Sequence, residues 1–304
     1  MARHRSTGIA AMLAITLTGG CSMTAKSACF SKRAVVLPDR TRVLANVSNG
    51  ASGRALADAL LDGKLDQVRT ILARDPRLIG TVVTHDPRMD APPPGQSGDL
   101  LTLAVSRCDT DGIALLLKAG MPADGIARGN ALTLALLADA PEMAELLLQA
   151  GASPDPQKVA GGEDAMRQAI AFSHIGAVMT LLRHGADPRW HDAFGIDRVR
   201  MAMDAEQADI AELLIDKGGT LFSVGGDGSM AAHELLAEPI AFKSPELKAA
   251  RARLVERAKA SPIGWPPPDR ATIKRMIASG TWPTEKMARA GMTVAPEVLA
   301  KLRD

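Results

Sequence analysis

The chain has no tyrosine, and aromatic residues fill only 3% of its 304 positions. Strands lean on aromatic and β-branched side chains for their cross-strand packing. That scarcity argues against an all-β domain and leaves Ala, Leu, Ile, Val and Met to build the interior. Cysteine is scarce too. Cys21, Cys29 and Cys108 form neither a disulfide framework nor a zinc-ligand spacing, and whether Cys29 and Cys108 pair is left open. Net charge is nearly absent, with 36 basic against 34 acidic residues, and Arg3 and Arg5 account for the surplus. A neutral body lacks the basic face that a nucleic-acid partner requires. No apolar run is long. The longest near the start, residues 9–17 (IAAMLAITL), is too short to span a bilayer.

What the chain has is repetition. Residues 99–120 (DLLTLAVSRCDTDGIALLLKAG) read as two short helices back to back, the second stopped by Gly120, a residue suited to the left-handed conformation after a helix. Similar stretches begin at 54, 130, 164 and 197, so successive starts are 45, 31, 34 and 33 residues apart. In that register the sixth position is always alanine: Ala59, Ala104, Ala135, Ala169 and Ala202. The eighteenth is Ile71, Leu116, Leu147, Leu181 and Leu214, and the nineteenth is Leu72, Leu117, Leu148, Leu182 and Ile215. A small residue where two helices cross, with an aliphatic pair on the second helix, suits stacked helix pairs.

These units resemble ankyrin repeats, whose period is about 33 and whose motif is T-P-L-H-x-A. Residues 185–197 (GADPRWHDAFGID) resemble the family's linking hairpin. The threonine-proline is replaced by Asp99-Leu100, Asn130-Ala131, Asp164-Ala165 and Asp197-Arg198. The resemblance implies an all-α solenoid of stacked helix pairs with hairpin loops over residues 51–228. Residues 229–304 are expected to hold a degenerate sixth repeat, from near Met230, and a C-terminal helical cap. The first step exceeds the period by a loop inserted at 76–98, which contains APPPGQSG; three prolines cannot continue a helix.

Residues 1–20 read as an export signal, with Arg3 and Arg5 ahead of the apolar stretch. Thr18-Gly19-Gly20-Cys21 resembles a bacterial lipoprotein processing site, with Thr18 where leucine is commonest; an ordinary cleaved signal is the other reading. In that family the cysteine is acylated through its thiol, which makes Cys21 the lipidation site. Residues 21–50 are then the lipidated tether. Ser22 in place of aspartate implies the outer membrane's periplasmic face.

The resemblance also nominates contact residues. Ala193 and Phe194 fall at the tip of one hairpin, with His191 beside them and Trp190 at its base. Phe172 ends a first helix at a position the family often exposes on its concave side. Arg107 holds the matching place in the second copy, and Arg128 lies in the hairpin before the third. His233 sits at the family's histidine position, where that residue caps backbone and does no chemistry. Residues 244–260 read as a basic helix with Ser244 as N-cap and Pro245 in its first position. It either meets anionic head groups or forms the solvated face of a cap.

Catalytic sets are missing. His174, His184 and His191 lack the i, i+4 spacing and the thiol of a metal site. His85, Asp86 and Asp90 have no nucleophile partner. Residues 225–228 (GGDG) precede no lysine-serine and read as a lengthened hairpin, not a phosphate loop. No enzyme activity, cofactor or metal is expected. The expected function is binding of another protein by a monomeric, periplasmic, lipid-anchored array that touches the membrane only through its lipid. Lipid-anchored ankyrin proteins of bacteria resemble immunity proteins that neutralise secreted antibacterial effectors. The alternatives are an envelope scaffold that organises periplasmic or outer-membrane proteins and, more remotely, an enzyme with its activity in 229–304.

Overall fold

The computed structural model describes residues 40–83, 98–126, 131–138, 140–155, 164–237, 244–289, 292, 294 and 296–303. They are mostly helical. A short helix α1 (Arg40–Ala45) precedes five helix pairs: α2 (Gly50–Leu61) with α3 (Leu65–Arg74), α4 (Leu100–Ser106) with α5 (Thr110–Lys118), α6 (Ala131–Leu137) with α7 (Pro141–Gln149), α8 (Ala165–Ala171) with α9 (Ile175–Arg183), and α10 (Arg198–Asp204) with α11 (Ala208–Asp216). Then come α12 (Ala231–Glu234), α13 (Pro245–Lys259), α14 (Arg270–Ala278), α15 (Glu285–Arg289) and α16 (Pro296–Arg303). The pairs are called repeats 1–5 below.

Helices of seven to nine residues, such as α4 to α11, are marginal alone; stacking makes them. First helices pack in sequence, α2 on α4, α4 on α6, α6 on α8, α8 on α10 and α10 on α12. Among second helices α5 meets α7 and α11 meets α13 closely, whereas α3–α5 and α7–α9 are looser. The alanine row lies in these contacts: Ala59, Ala104, Ala135, Ala169 and Ala202 are all buried.

Each alanine has a second task, through its backbone. Its carbonyl accepts from the N–H five residues on: Lys64 to Ala59 (2.9 Å), Asp109 to Ala104 (3.0 Å), Ala140 to Ala135 (3.1 Å), His174 to Ala169 (2.7 Å) and Gln207 to Ala202 (2.8 Å). This bond closes the turn between the two helices. It requires a left-handed residue at the tenth position, where Gly63, Cys108, Ser173 and Glu206 have φ of 66°, 54°, 58° and 58°. The second helix ends as uniformly. Met121, Ala152, Ala186 and Gly219 donate to the carbonyls of Leu116, Leu147, Leu181 and Leu214 across Gly120, Gly151, Gly185 and Gly218, which have positive φ. This is the Schellman closure of a helix end.

Repeat 1 has Asp75 where the others have that glycine, and its φ is −140°. The chain therefore leaves in a different direction, into a 3₁₀ turn over Pro76–Gly80. The insertion starts here for that reason. A two-residue antiparallel ladder, β1 (Val82–Val83) with β2 (Gly98–Asp99), closes its base, and residues 84–97 with APPPGQSG lie outside the described residues.

Order begins before repeat 1, inside the stretch expected as tether. Arg40 pairs with Asp58 (2.5 Å) and Asp62 (2.6 Å) of α2, and Val43 and Val47 are buried. At the other end α12 continues the row of first helices, and the longer α13 takes the place of a second helix against α11. His233 Nδ1 accepts from Met230 N–H (3.0 Å), so its Nε2 is the nitrogen that donates to Pro268 carbonyl (2.9 Å). Both partners are backbone.

Candidate functional site

The first residue of a repeat sets the hairpin side of the stack. Asp99, Asp164 and Asp197 cap their helices by accepting from Thr102 (3.0 Å), Arg167 (3.0 Å) and Arg200 (2.7 Å) backbone N–H. This is the local role a side-chain oxygen has at an N-cap, and aspartate fills it in place of threonine. The same carboxylates reach neighbouring repeats. Ile126 N–H donates to Asp99 Oδ2 (2.8 Å). Arg198, fully buried, donates to both oxygens of Asp164 (2.5 Å) and lies 3.5 Å from Asp155. Its guanidinium stacks 4.3 Å from the centre of the Trp190 ring, a favourable cation–π placement. Trp190 is thus packed under its hairpin. Burial raises the pKa of Asp155, and burial raises that of Asp197 to about 6 against the opposing hydrogen bonds from Arg200 and Ser223.

A second ladder joins the hairpins. Ser153 N–H donates to Asp124 (2.7 Å), Asp187 N–H to Asp155 (2.8 Å), and Arg189 Nε to Gly218 carbonyl (2.6 Å). Sequence reasoning missed these groups. The signal was present, since Asp124 and Asp155 share the twenty-sixth position of their repeats.

The nominated contact residues fall in different surroundings. Phe194 is 69% exposed at its hairpin tip, beside exposed Ala193. The hairpin under it is rigid: Asp192 accepts from Phe194 and Ile196 N–H (2.9 and 3.0 Å), and Gly226 N–H donates to Phe194 carbonyl (2.8 Å). The GGDG stretch is therefore part of a hairpin. His191 is half-buried and bridged to Asp197 across the hairpin, so it supports the tip. Phe172 caps the end of α8, in the turn between α8 and α9, and is 59% exposed. Arg107, in the matching turn of repeat 2, is half-buried and lies beside Gly63 of repeat 1. Arg128 lies outside the described residues, as do Cys21, His85, Asp86 and Asp90.

Two further exposed apolar residues were not singled out from sequence. Ile175 (41%) and Met179 (50%) stand one helical turn apart on α9, the helix that follows Phe172. Periodicity places both on a helix; in the assembled stack α9 packs loosely on α7 and more loosely still on α11, and both side chains stay exposed.

The histidines do not converge. His174 is buried below Phe172, with ring centroids 6.3 Å apart. His184 pairs with Glu145 on α7 (2.9 Å), and His191 is in the hairpin. No three potential metal ligands come together among the described residues. The basic face of α13 is spoken for. Arg253 makes a bidentate pair with Glu212 (2.7 and 2.6 Å), Arg257 pairs with Asp216 (2.7 Å), and Arg251 donates to the Glu234 and Ala237 carbonyls. Arg253 and Arg257 hold the cap on α11, and Arg251 ties it to the end of α12. Cys108, at the left-handed position of the repeat 2 turn, is disulfide-bonded.

No protein-family model matches the chain, and no curated protein matches it at a significant level. No helix among the described residues is long and apolar enough to cross a membrane.

Proposed function

We propose that this chain is an ankyrin-repeat array, anchored by a lipid on Cys21 in the bacterial periplasm, that works by binding another protein and not by catalysing a reaction. The observation that carries the reading is the pair of phenylalanines, Phe172 and Phe194, held more than half exposed on turns that the stack rigidifies. Large apolar side chains on a preorganised surface are what binding hot spots are made of, and a rigid stack loses little freedom on binding.

The ankyrin assignment is supported by the turn, helix-end and N-cap bonds that recur at the same positions of successive repeats. The periplasmic assignment is supported by the disulfide at Cys108, because such bonds persist in oxidising compartments. With Cys21 acylated, Cys29 is the thiol left to pair with it. The sharper form of the reading is an immunity protein whose partner is a secreted antibacterial effector.

The experiment is site-specific photocrosslinking in the parent bacterium. A photoreactive residue at 172 or 194 should give one discrete adduct, and the same residue at Glu256 on the cap should give none. A deletion strain should then lose resistance to sister cells if the adduct is an effector. Several envelope proteins in the adducts would instead support the scaffold reading. No adduct at any position contradicts protein binding.

A further inference from the structure

Phe172 and Ile175 lie on the edge of the stack formed by the turns between first and second helices, the edge opposite the hairpins, and Met179 stands one helical turn further along α9. Beside them the loose α7–α9 contact opens a cleft of about 440 Å³. Its apolar lining comes from Leu136, Ala140, Pro141, Ile175 and Ala177.

Among the residues lining that cleft the titratable group is buried His174, and the charged side chains stand in the turns around it. The described turns of repeats 3, 4 and 5 (137–142 without 139, 171–176 and 204–209) contain no lysine or arginine. Exposed Glu142 follows Pro141, which lines the cleft. Glu206 and Asp209 occupy in repeat 5 the places that Ser173 and Gly176, both lining residues, occupy in repeat 4. Asp204 is already matched by Arg200 (2.6 Å). Arg107, one repeat earlier, turns away to Gly63 of repeat 1. Helices pack about 10 Å apart, so the acidic residues in the turns of repeats 3 and 5 stand roughly 20 Å apart, on either side of the apolar turn of repeat 4.

We propose that this turn edge is the docking surface, and that it takes a protein partner presenting an apolar side chain set among lysines and arginines. Charge complementarity fixes the chemistry of the occupant: a basic border is favoured and an acidic one repelled. The inference rests on the protein-binding reading and moves the contact from the hairpin tips to the opposite edge.

The test uses the full chain in detergent and two fluorescent helical peptides of equal apolar content, one lysine-rich and one glutamate-rich. The lysine-rich peptide should bind. Phe172→Ser, or Glu142→Gln with Glu206→Gln, should weaken it at least tenfold, while Phe194→Ser leaves it unchanged. These sites are exposed, and circular dichroism checks that each variant keeps its helix content. Equal binding of both peptides, no binding of either, or indifference to Phe172→Ser overturns the proposal. A dimer in sedimentation that Phe172→Ser dissolves would assign the edge to a second copy, and vesicle binding lost with Phe172→Ser would assign it to lipid; either overturns it. Photocrosslinking separates this inference from the broader reading. Adducts at 194 alone overturn the turn edge and leave protein binding standing, adducts at neither site overturn both, and an adduct at 172 supports both.

Discussion

Ser173 and Glu206 carry a conformational cost that no contact reveals. Each is exposed, and each holds the left-handed φ that the turn bond to Ala169 or Ala202 demands. An L-residue there is disfavoured by about 1–2 kcal/mol, and glycine recovers part of this after its larger unfolded-state entropy is counted. Ser173→Gly and Glu206→Gly should therefore each stabilise by about 0.5 kcal/mol in urea unfolding; a loss of stability would contradict the turn geometry. Asp197 makes a residue-scale prediction with a sign. Burial raises its pKa from 3.8 to about 6, so folding favours the protonated form. Its favourable contribution is complete below about pH 4 and is lost as pH rises through 6. Relative to Asp197→Asn, which keeps the cap acceptor, the parent should lose about 2 kcal/mol between pH 4 and pH 7; a difference independent of pH would contradict it. Neither effect is legible in the sequence. The tenth position varies in residue type, and burial of Asp197 depends on the next hairpin.

At the scale of elements, the alternation of short helices was readable because alanine and leucine return at fixed positions. Their tertiary use was readable too, since a sixth-position alanine on every first helix makes sense only where helices cross. What escaped is the polar joinery. Arg198 stands in the second position of its repeat, where a charged residue reads as surface, yet it is fully buried between Asp164 and Trp190. The answering carboxylate is one repeat away, so no local pattern announces the pair. Removing one partner of a buried ion pair costs about 3–5 kcal/mol, while an apolar replacement of both is often neutral. Arg198→Ala should lower unfolding stability by about 3 kcal/mol. Arg198→Met with Asp164→Asn should recover most of that. Equal losses in the two variants would mean that the arginine acts by packing alone.

At the scale of the whole molecule, the array is closed at one end by α13, with its arginines on Glu212 and Asp216, and joined at the other by residues 40–49 folded onto α2. The sequence placed the repeats and the basic helix, but not the early start of order at Arg40, because residues 40–45 show no sustained apolar period. It also left the cysteines undecided: spacing cannot tell which of Cys21 and Cys29 meets Cys108. If Cys21 carries the proposed lipid, Cys29→Ser should free the Cys108 thiol for maleimide labelling, while Cys108 of the parent stays unlabelled until reduced. Labelling of the parent without reduction would contradict the bond. The surface left for function follows from where stacking is loose, and that appears only once the helices are assembled.

The central claim is that one set of backbone bonds, repeated in register, builds the stack and leaves its turn edge free. Residue-resolved amide hydrogen exchange tests it most directly. The amides of Asp109, Ala140, His174 and Gln207, together with Met121, Ala152, Ala186 and Gly219, should all be protected although none lies inside a helix. Gly176, whose N–H lies in the first turn of α9 on the uncovered edge where no intrahelical acceptor is available, should exchange much faster. If those eight amides exchange as fast as the edge, the repeats are not stacked in this way and the account fails.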